Sequence, residues 1–246
     1  MLGCSEAAPS LAAHPTAPMA TIASLSAPSP IRVVAIESQP FGENTYVVFR
    51  DGSESCLVID PGFEPGAIIT WLEETGLHPE AILVTHGHSD HIAGIGSLRT
   101  RWPEIPIVIG RGDAPKLTSP TGNLSAGFGL ALVAPPADRL LDDGETFRGA
   151  NLDLVVREIP GHSSGHVAFV IDAVEPPIVF GGDVLFREGI GRTDFPDGDF
   201  SALEAGIRRH LYSLPDAAIV FPGHGVPTTV GYEKSHNPFV RPGGAR

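Results

Sequence analysis

From Ile31 onward the chain sorts into short apolar runs parted by Gly, Pro, Asp and Asn, and the runs carry two periods. Residues 44–50 and 56–60 are β-rich and are joined by Asp51-Gly52-Ser53-Glu54, a spacing that predicts a hairpin. Pro65 opens a helix with Ile68, Ile69 and Leu72 on one face, and Gly76 closes it. Residues 81–85 form the next strand, which runs into His86. A second helix from about His91 sets Ile92, Ile95, Leu98 and Trp102 at helical spacing and stops at Pro103. A strand over 105–109 follows, and residues 111–150 read as loop, punctuated by Pro, Gly and Asn.

The second half repeats the theme. A strand over 152–159 leads to Pro160-Gly161-His162, and another covers 166–171. Residues 177–180 lead to Gly181-Gly182-Asp183, and 217–221 to Pro222-Gly223-His224. Between them Ser201 and Glu204 read as the capping box of a helix that turns Leu203, Ile207 and Leu211 inward. Alternating strands and helices predict a layered α/β domain. Four apolar strands end in a His or Asp. A buried sheet holds its strand ends rigidly, so polar residues just beyond them can converge on one cleft.

Composition narrows the picture. The 246 residues suit one large domain, and the first thirty, rich in Ala, Ser, Pro and Thr, read as a disordered tail before a domain over 31–246. A net charge of −13 with no basic run speaks against nucleic acid as a partner. The two cysteines, Cys4 and Cys56, form no CxxC, so neither a disulfide framework nor a thiolate metal site is written here; Cys56 should pack as a small hydrophobe. No stretch reaches the ~18–20 apolar residues of a membrane span. A cytoplasmic chain is expected. Met1-Leu2-Gly3-Cys4 looks like the end of a lipoprotein signal, so a lipid-anchored or periplasmic form would need an upstream apolar region.

The chemistry concentrates in Thr85-His86-Gly87-His88-Ser89-Asp90-His91. His86 and His88 are two apart and point to one side of extended backbone; Asp90 and His91 enter the following helix and address a second position nearby. Small Gly87 and Ser89 leave room for the turn. A catalytic zinc-type site wants about three nitrogen or oxygen ligands and an open position. Two sites sharing a carboxylate follow if His86, His88 and His162 hold one ion, Asp90, His91 and His224 a second, and Asp183 bridges. Two divalent ions are therefore expected, zinc first, with iron and manganese also suited to such donors.

The segments THGHSDH, PGHSSGH, GGDVLF and FPGHG, in this order, resemble the metallo-β-lactamase superfamily. GIGRTDFPDGD (189–199) and TTVGYEKSHNPFV (228–240) are similar to the short bacterial branch of glyoxalase II. The resemblance covers about residues 33–240 and implies a four-layer αββα sandwich. It also implies that Asp60 orients a ligand histidine from behind, since a metal-bound imidazole needs a partner for its other ring nitrogen. His166 is a further candidate for that supporting role. His14, His78, His210 and His236 read as solvent-facing or structural. Arg192, Lys234 and Asn123 are candidate substrate contacts, with Ser125 beside them; for Arg192 an ion pair with Asp194 or Asp197 is the competing reading.

Two ions ~3.5–4 Å apart would acidify a bridging water, and the resulting hydroxide would attack an acyl carbon, with Asp90 orienting it. No further side chain presents itself as a general acid. A thiol, with a pKa of about 8.5, leaves without one, which suits a small-molecule acyl substrate of the thioester class. The resemblance implies S-lactoylglutathione or a related glutathione thioester. Larger members of that family add C-terminal basic residues for glutathione; here Lys234 is the basic residue in the corresponding region. The rival reading is a mononuclear iron persulfide dioxygenase, which shares GRTDF; a lactonase or other ester hydrolase is the remaining alternative.

Overall fold

The computed structural model describes Thr21–Ile22 and residues 30–241. Its first sheet keeps chain order: β1 (Thr21–Ile22), β2 (Ile31–Ser38), β3 (Glu43–Arg50), β4 (Ser55–Ile59), β5 (His78–Val84), β6 (Ile107–Gly110) and β7 (Arg139–Leu141). The first four pair antiparallel and the rest join in parallel. The second sheet contains β8 (Thr146–Gly149), β9 (Leu152–Glu158), β10 (Val167–Ile171) and β11 (Ile178–Gly182). A small ribbon, β12 (Leu185–Phe186) with β13 (Gly189–Ile190), follows, and then β14 (Ile219–Pro222) and β15 (Thr228–Thr229) complete the second sheet in the order β15-β14-β11-β10-β9-β8.

Helices cover the outer faces. On the first sheet lie α1 (Pro65–Thr75), the short α2 (Ser89–Ile92) and α3 (Ile95–Arg101); on the second lie α4 (Phe200–Gly206), extended by a wider turn over Ile207–Leu211, and α5 (Val230–His236). Three apolar layers hold this stack together. Val48, Leu57, Ile59 and Leu83 meet Leu154, Phe169, Phe180 and Phe221 between the sheets. Ile68, Leu72 and Leu98 close one outer face over Val47, Val58 and Ile82, and Leu203, Ile207 and Leu211 close the other over Val170, Val179 and Val220. This is the four-layer αββα sandwich. Truncating a buried Phe such as Phe169 to Ala should cost ~3–5 kcal/mol.

Several local expectations change. Thr21–Ile22, inside the stretch read as a tail, pairs with β2, where a β-prone dipeptide satisfies the exposed edge; the rest of that reading, with Cys4 and His14, lies outside the described residues. The helix expected from His91 is split into α2 and α3 around Ala93-Gly94. Gly94 packs against the backbone of Pro61 and Gly62, where a Cβ would lie 2.7 Å from Gly62 O, and its N–H donates to Pro61 O at 2.8 Å. The cap of α4 is Asp199, whose Oδ1 accepts the Ala202 N–H, in place of the Ser201–Glu204 box. Residues 111–150 contain β7, β8 and two 3-10 turns, too short to leave a periodic signal. Gly76 does close α1, in the left-handed conformation. Cys56 is fully buried, and burial pushes its thiol up to about 12, with Glu80 adding to the effect. Among the described residues no helix is long and apolar enough to cross a membrane.

Candidate metal centre

Chain direction decides where the polar strand ends meet. β9 and β11 are each antiparallel to β10, and β14 is parallel to β11, so β9, β11 and β14 all finish at one edge of their sheet. The facing edge of the first sheet is the end of β5. Two backbone bonds stitch these edges together: Val167 N–H donates to Thr85 O at 2.8 Å, and Asn44 N–H to Gly223 O at 2.7 Å. Asn44 Nδ2 also donates to Pro222 O and Gly225 O, and the Tyr46 hydroxyl to Pro222 O at 2.7 Å, fixing the turn that carries His224.

Seven side chains come together there. His86, His88 and His162 form one group of potential ligands, Asp90, His91 and His224 another, and His86, His91 and Asp183 a third; within each group the ligand atoms lie within 4.8 Å of one another. Most of the rings have one nitrogen held from outside. His91 Nδ1 donates to Asp60 Oδ2 at 3.1 Å, His162 Nδ1 to Arg192 O at 2.9 Å and His224 Nδ1 to Phe41 O at 3.1 Å. His86 Nδ1 faces Thr85 Oγ1 at 3.1 Å, whose own proton goes to Asp60. The opposite ring atoms are left over. His86 Nε2 is buried without a hydrogen-bond partner, and so are His91 Nε2 and Asp183 Oδ1, which face each other at 3.5 Å. Such a density of buried unsatisfied atoms calls for a missing partner. His88 Nδ1 and His162 Nε2 stand 3.0 Å apart; two nitrogens ~2.0–2.1 Å from a tetrahedral zinc are a few tenths of an ångström further apart, so a small opening of the pair admits the ion. The residues fit a divalent cation.

Electrostatics agree. Burial drives His86 well below the usual histidine range, with His91 and His88 adding to it, and burial with His162 takes His88 down to about 3. Burial also lowers His162. His91 goes the other way: against burial, Asp90 and Asp183 raise it well above its usual value. His224 is raised too, against burial, by Asp90 and Asp183. Asp183 and Asp90 both pay for burial, yet neighbouring histidines keep both below the ordinary carboxylate range. The cluster thus sets ionised carboxylates among mostly neutral imidazoles.

The other candidates fall in different places. Asp60 accepts from the Thr85 N–H and hydroxyl and from His91, behind the cluster. His166 is fully buried, stacks on His86 with centroids 4.7 Å apart, and its Nε2 accepts the Asp183 N–H at 3.1 Å. Arg192 is exposed at the rim of a cleft of about 190 Å³, paired with Asp194 at 2.6 Å and lying 4.4 Å over Phe195. Asn123 borders that cleft, but its side chain is committed to the loop, donating to Leu132 O and accepting from Ser125 N–H. Lys234 is not brought to the cluster: it pairs with Asp216, which precedes β14, at the end of that strand away from His224. His78 and His236 are exposed and His210 is half-buried.

Sequence reasoning passes over Asp113, Lys116 and Glu43. Asp113 stands just past β6, a fifth strand whose polar sequel follows the same rule as the other four, so a signal exists. Glu43 carries no such mark. It is fully buried beside His224 in an isolated bridge, and burial pushes its carboxyl well above the usual range, opposed by His91 and reinforced by Asp60 and Asp90.

Comparison with known proteins completes the picture. The family model described as the metallo-beta-lactamase superfamily matches residues 39–224. A probable metallo-hydrolase of Streptococcus pyogenes is 38% identical over 203 residues, covering 80% of this chain and 85% of its own. The hydroxyacylglutathione hydrolase GloC of Haemophilus influenzae is 35% identical over 207 residues, covering 81% and 93%. Among solved structures, the BLEG-1 B3 metallo-beta-lactamase superposes with a TM-score of 0.79 at 36% identity, covering 84% of this chain and 98% of that one. TTHA1623, crystallised in a di-iron-bound form, gives 0.72 at 38% identity over 84% and 99%. With histidines and carboxylates gathered at the ends of β5, β9, β11 and β14, the chain is a metallo-hydrolase belonging to the metallo-beta-lactamase superfamily.

Proposed function

We propose that the chain hydrolyses a glutathione thioester, such as S-lactoylglutathione, at a pair of divalent ions. The observation that carries this reading is the sharing of ligands: two groups of three donors lie side by side, and Asp183 sits with one histidine from each. In this assignment His86, His88 and His162 hold one ion, Asp90, His91 and His224 the other, and Asp183 lies between. A thiolate-free set of imidazoles and carboxylates suits zinc, with iron and manganese as alternatives, and the di-iron-bound form of a similar chain supports iron. The named activity of GloC supports the substrate class.

When bound, the ions would polarise an acyl oxygen and acidify water. The chain's own groups do the rest. Asp90, which would hold the second ion with His91 and His224 and whose carboxyl the neighbouring histidines keep ionised, is placed to accept a hydrogen from the attacking water and aim it. Phe41, Leu124, Phe128 and Phe195 give the cleft an apolar wall that keeps bulk water off the acyl group. A thiol leaves as its anion near neutral pH, so no proton donor is needed at the leaving atom. Arg192 is the guanidinium that this cleft offers to a substrate carboxylate.

Metal analysis of the purified protein together with a thioester panel tests the proposal. Release of free thiol from S-lactoylglutathione in proportion to bound metal supports it. Full metal loading with no thiol release removes this substrate, and oxygen uptake with glutathione persulfide would install the dioxygenase reading instead.

A further inference from the structure

We propose that Asp113 is the positioning residue of the His86–His88–His162 position, a buried carboxylate that sets the two loops bearing those histidines against each other. The inference rests on the two-position reading given above. Asp113 is fully buried, and its side chain collects donors from both loops. Oδ2 accepts the N–H of Gly87, which lies between His86 and His88, at 2.8 Å, and also the hydroxyl of Ser163, the residue after His162. Oδ1 accepts the Gly165 N–H at 2.8 Å and has Lys116 Nζ at 3.2 Å. One carboxylate therefore grips the chain beside three ligands. None of its four partners belongs to the Asp90–His91–His224 group.

Lys116 completes the device. Its ammonium also donates to Ser163 and, at 2.6 Å, to Asp197, whose carboxylate accepts the Ser164 N–H at 3.0 Å. Lys116 and burial set the acidity of Asp197 in opposite senses, and Lys116 prevails, holding that carboxyl at about 2. Close backbone approach makes the reach feasible: a Cβ on Gly87 would lie 2.5 Å from Lys116 Cβ, and one on Gly165 would collide with the Asp113 backbone. An Asn at 113 would turn one acceptor into a donor facing N–H groups or the ammonium, so the loops would have to part. Shifts of a few tenths of an ångström matter against metal–nitrogen bonds of ~2.0–2.1 Å. Partners that orient metal ligands are typically worth ~10–100-fold in metal affinity.

The test is a zinc titration of the metal-free, full-length protein against a chromophoric chelator, with cobalt(II) absorption as a second readout. Wild type should take two equivalents. Asp113→Asn should bind one with unchanged affinity and the other ~10–100-fold more weakly. Ser163→Ala, which removes one donor and keeps both backbone bonds, should weaken the same equivalent by a smaller factor. Turnover of Asp113→Asn should recover as zinc is raised, which a merely structural defect would not allow. Two wild-type affinities in Asp113→Asn, or equal losses at both positions, would overturn the proposal. If that variant does not fold, unchanged zinc affinity in Ser163→Ala overturns it. A wild-type protein binding a single equivalent would refute the two-position reading instead; Asp113 would then stand or fall on whether its substitution weakens that equivalent.

Discussion

His91 Nδ1 lies 3.1 Å from Asp60 Oδ2, with both side chains sealed from solvent. The bond fixes which ring nitrogen faces the cluster, because a carboxylate can only accept and so keeps the proton on Nδ1. Asp60 holds this post at φ 49°, a left-handed conformation that Asp tolerates better than most residues. Its other oxygen takes the Thr85 N–H at 2.7 Å, locking the strand end that leads into His86. Asp60→Ala should therefore lower zinc affinity by ~10–100-fold, and Asp60→Asn, which keeps one acceptor, by less. Competition with a calibrated chelator reads both.

Metal uptake should be coupled to proton release. Asp90 and Asp183, prevailing over burial, hold His91 well above the usual histidine value, so near neutral pH the metal-free ring carries a proton that an ion must displace. Apparent affinity should rise with pH up to the raised value and then level off. Calorimetry in buffers of differing ionisation enthalpy should show a proton released near pH 7; uptake with no release would contradict the assignment of His91.

Acid should unfold the metal-free protein before the loaded one. Unfolded histidines bind protons at about 6.5, whereas folded His88 resists until about 3 and His86 and His166 are also depressed. Between those limits the unfolded chain binds more protons at these rings, so their contribution to stability falls as pH drops. His91 and His224, which are raised, work the opposite way: their stabilisation is complete below the unfolded value and is lost as pH climbs through the folded one. Five depressed rings, the fifth being His210, against two raised ones make net loss on acidification the expected outcome. Urea midpoints of metal-free wild type should fall from pH 6.5 to 4.5, and His88→Gln should flatten that slope.

The cluster leaves no room for a methyl group at Gly223. A Cβ there would lie 2.7 Å from His91 Cε1 and would strike Asp183 Oδ1. Gly223→Ala should cut metal affinity by at least ~10-fold, in line with the loss of ligand orientation. Gly66→Ala, in α1 with open space around the site, is the control; it should bind metal normally and gain ~0.5–1 kcal/mol of stability.

The layered fold and the candidate cluster are legible in the sequence for one reason: the strands that lead to the cluster are largely apolar, so a His or Asp beyond the end stands out against the run before it. His162, Asp183 and His224 are all marked this way. What lies behind the ligands is harder to read. Asp113 acts on backbone N–H groups that any residue possesses, so no sequence pairing betrays Gly87 or Gly165 as its partners. Lys234 illustrates the converse: its place in the sequence suggested substrate, yet the fold turns α5 so that its ammonium meets Asp216. The Ser201–Glu204 pair has the spacing of a cap, and Asp199, two residues earlier, takes that role because its backbone is extended where the helix begins.

Substrate contacts should divide accordingly. Lys234→Ala should leave kcat/KM for S-lactoylglutathione within about twofold, since it removes only a partly exposed ion pair worth ~0–1 kcal/mol. Arg192→Ala should raise KM several-fold with little change in kcat, because a rim guanidinium binds ground and transition states alike. A kcat collapse in Arg192→Ala would mean that it reaches the reacting atoms.

Free thiol released from S-lactoylglutathione, followed as zinc is added to the metal-free protein, tests the paired-ion thioesterase most directly. Turnover is predicted to climb until two equivalents are bound and then to plateau. A plateau at one equivalent, or a fully loaded protein that releases no thiol, would contradict it.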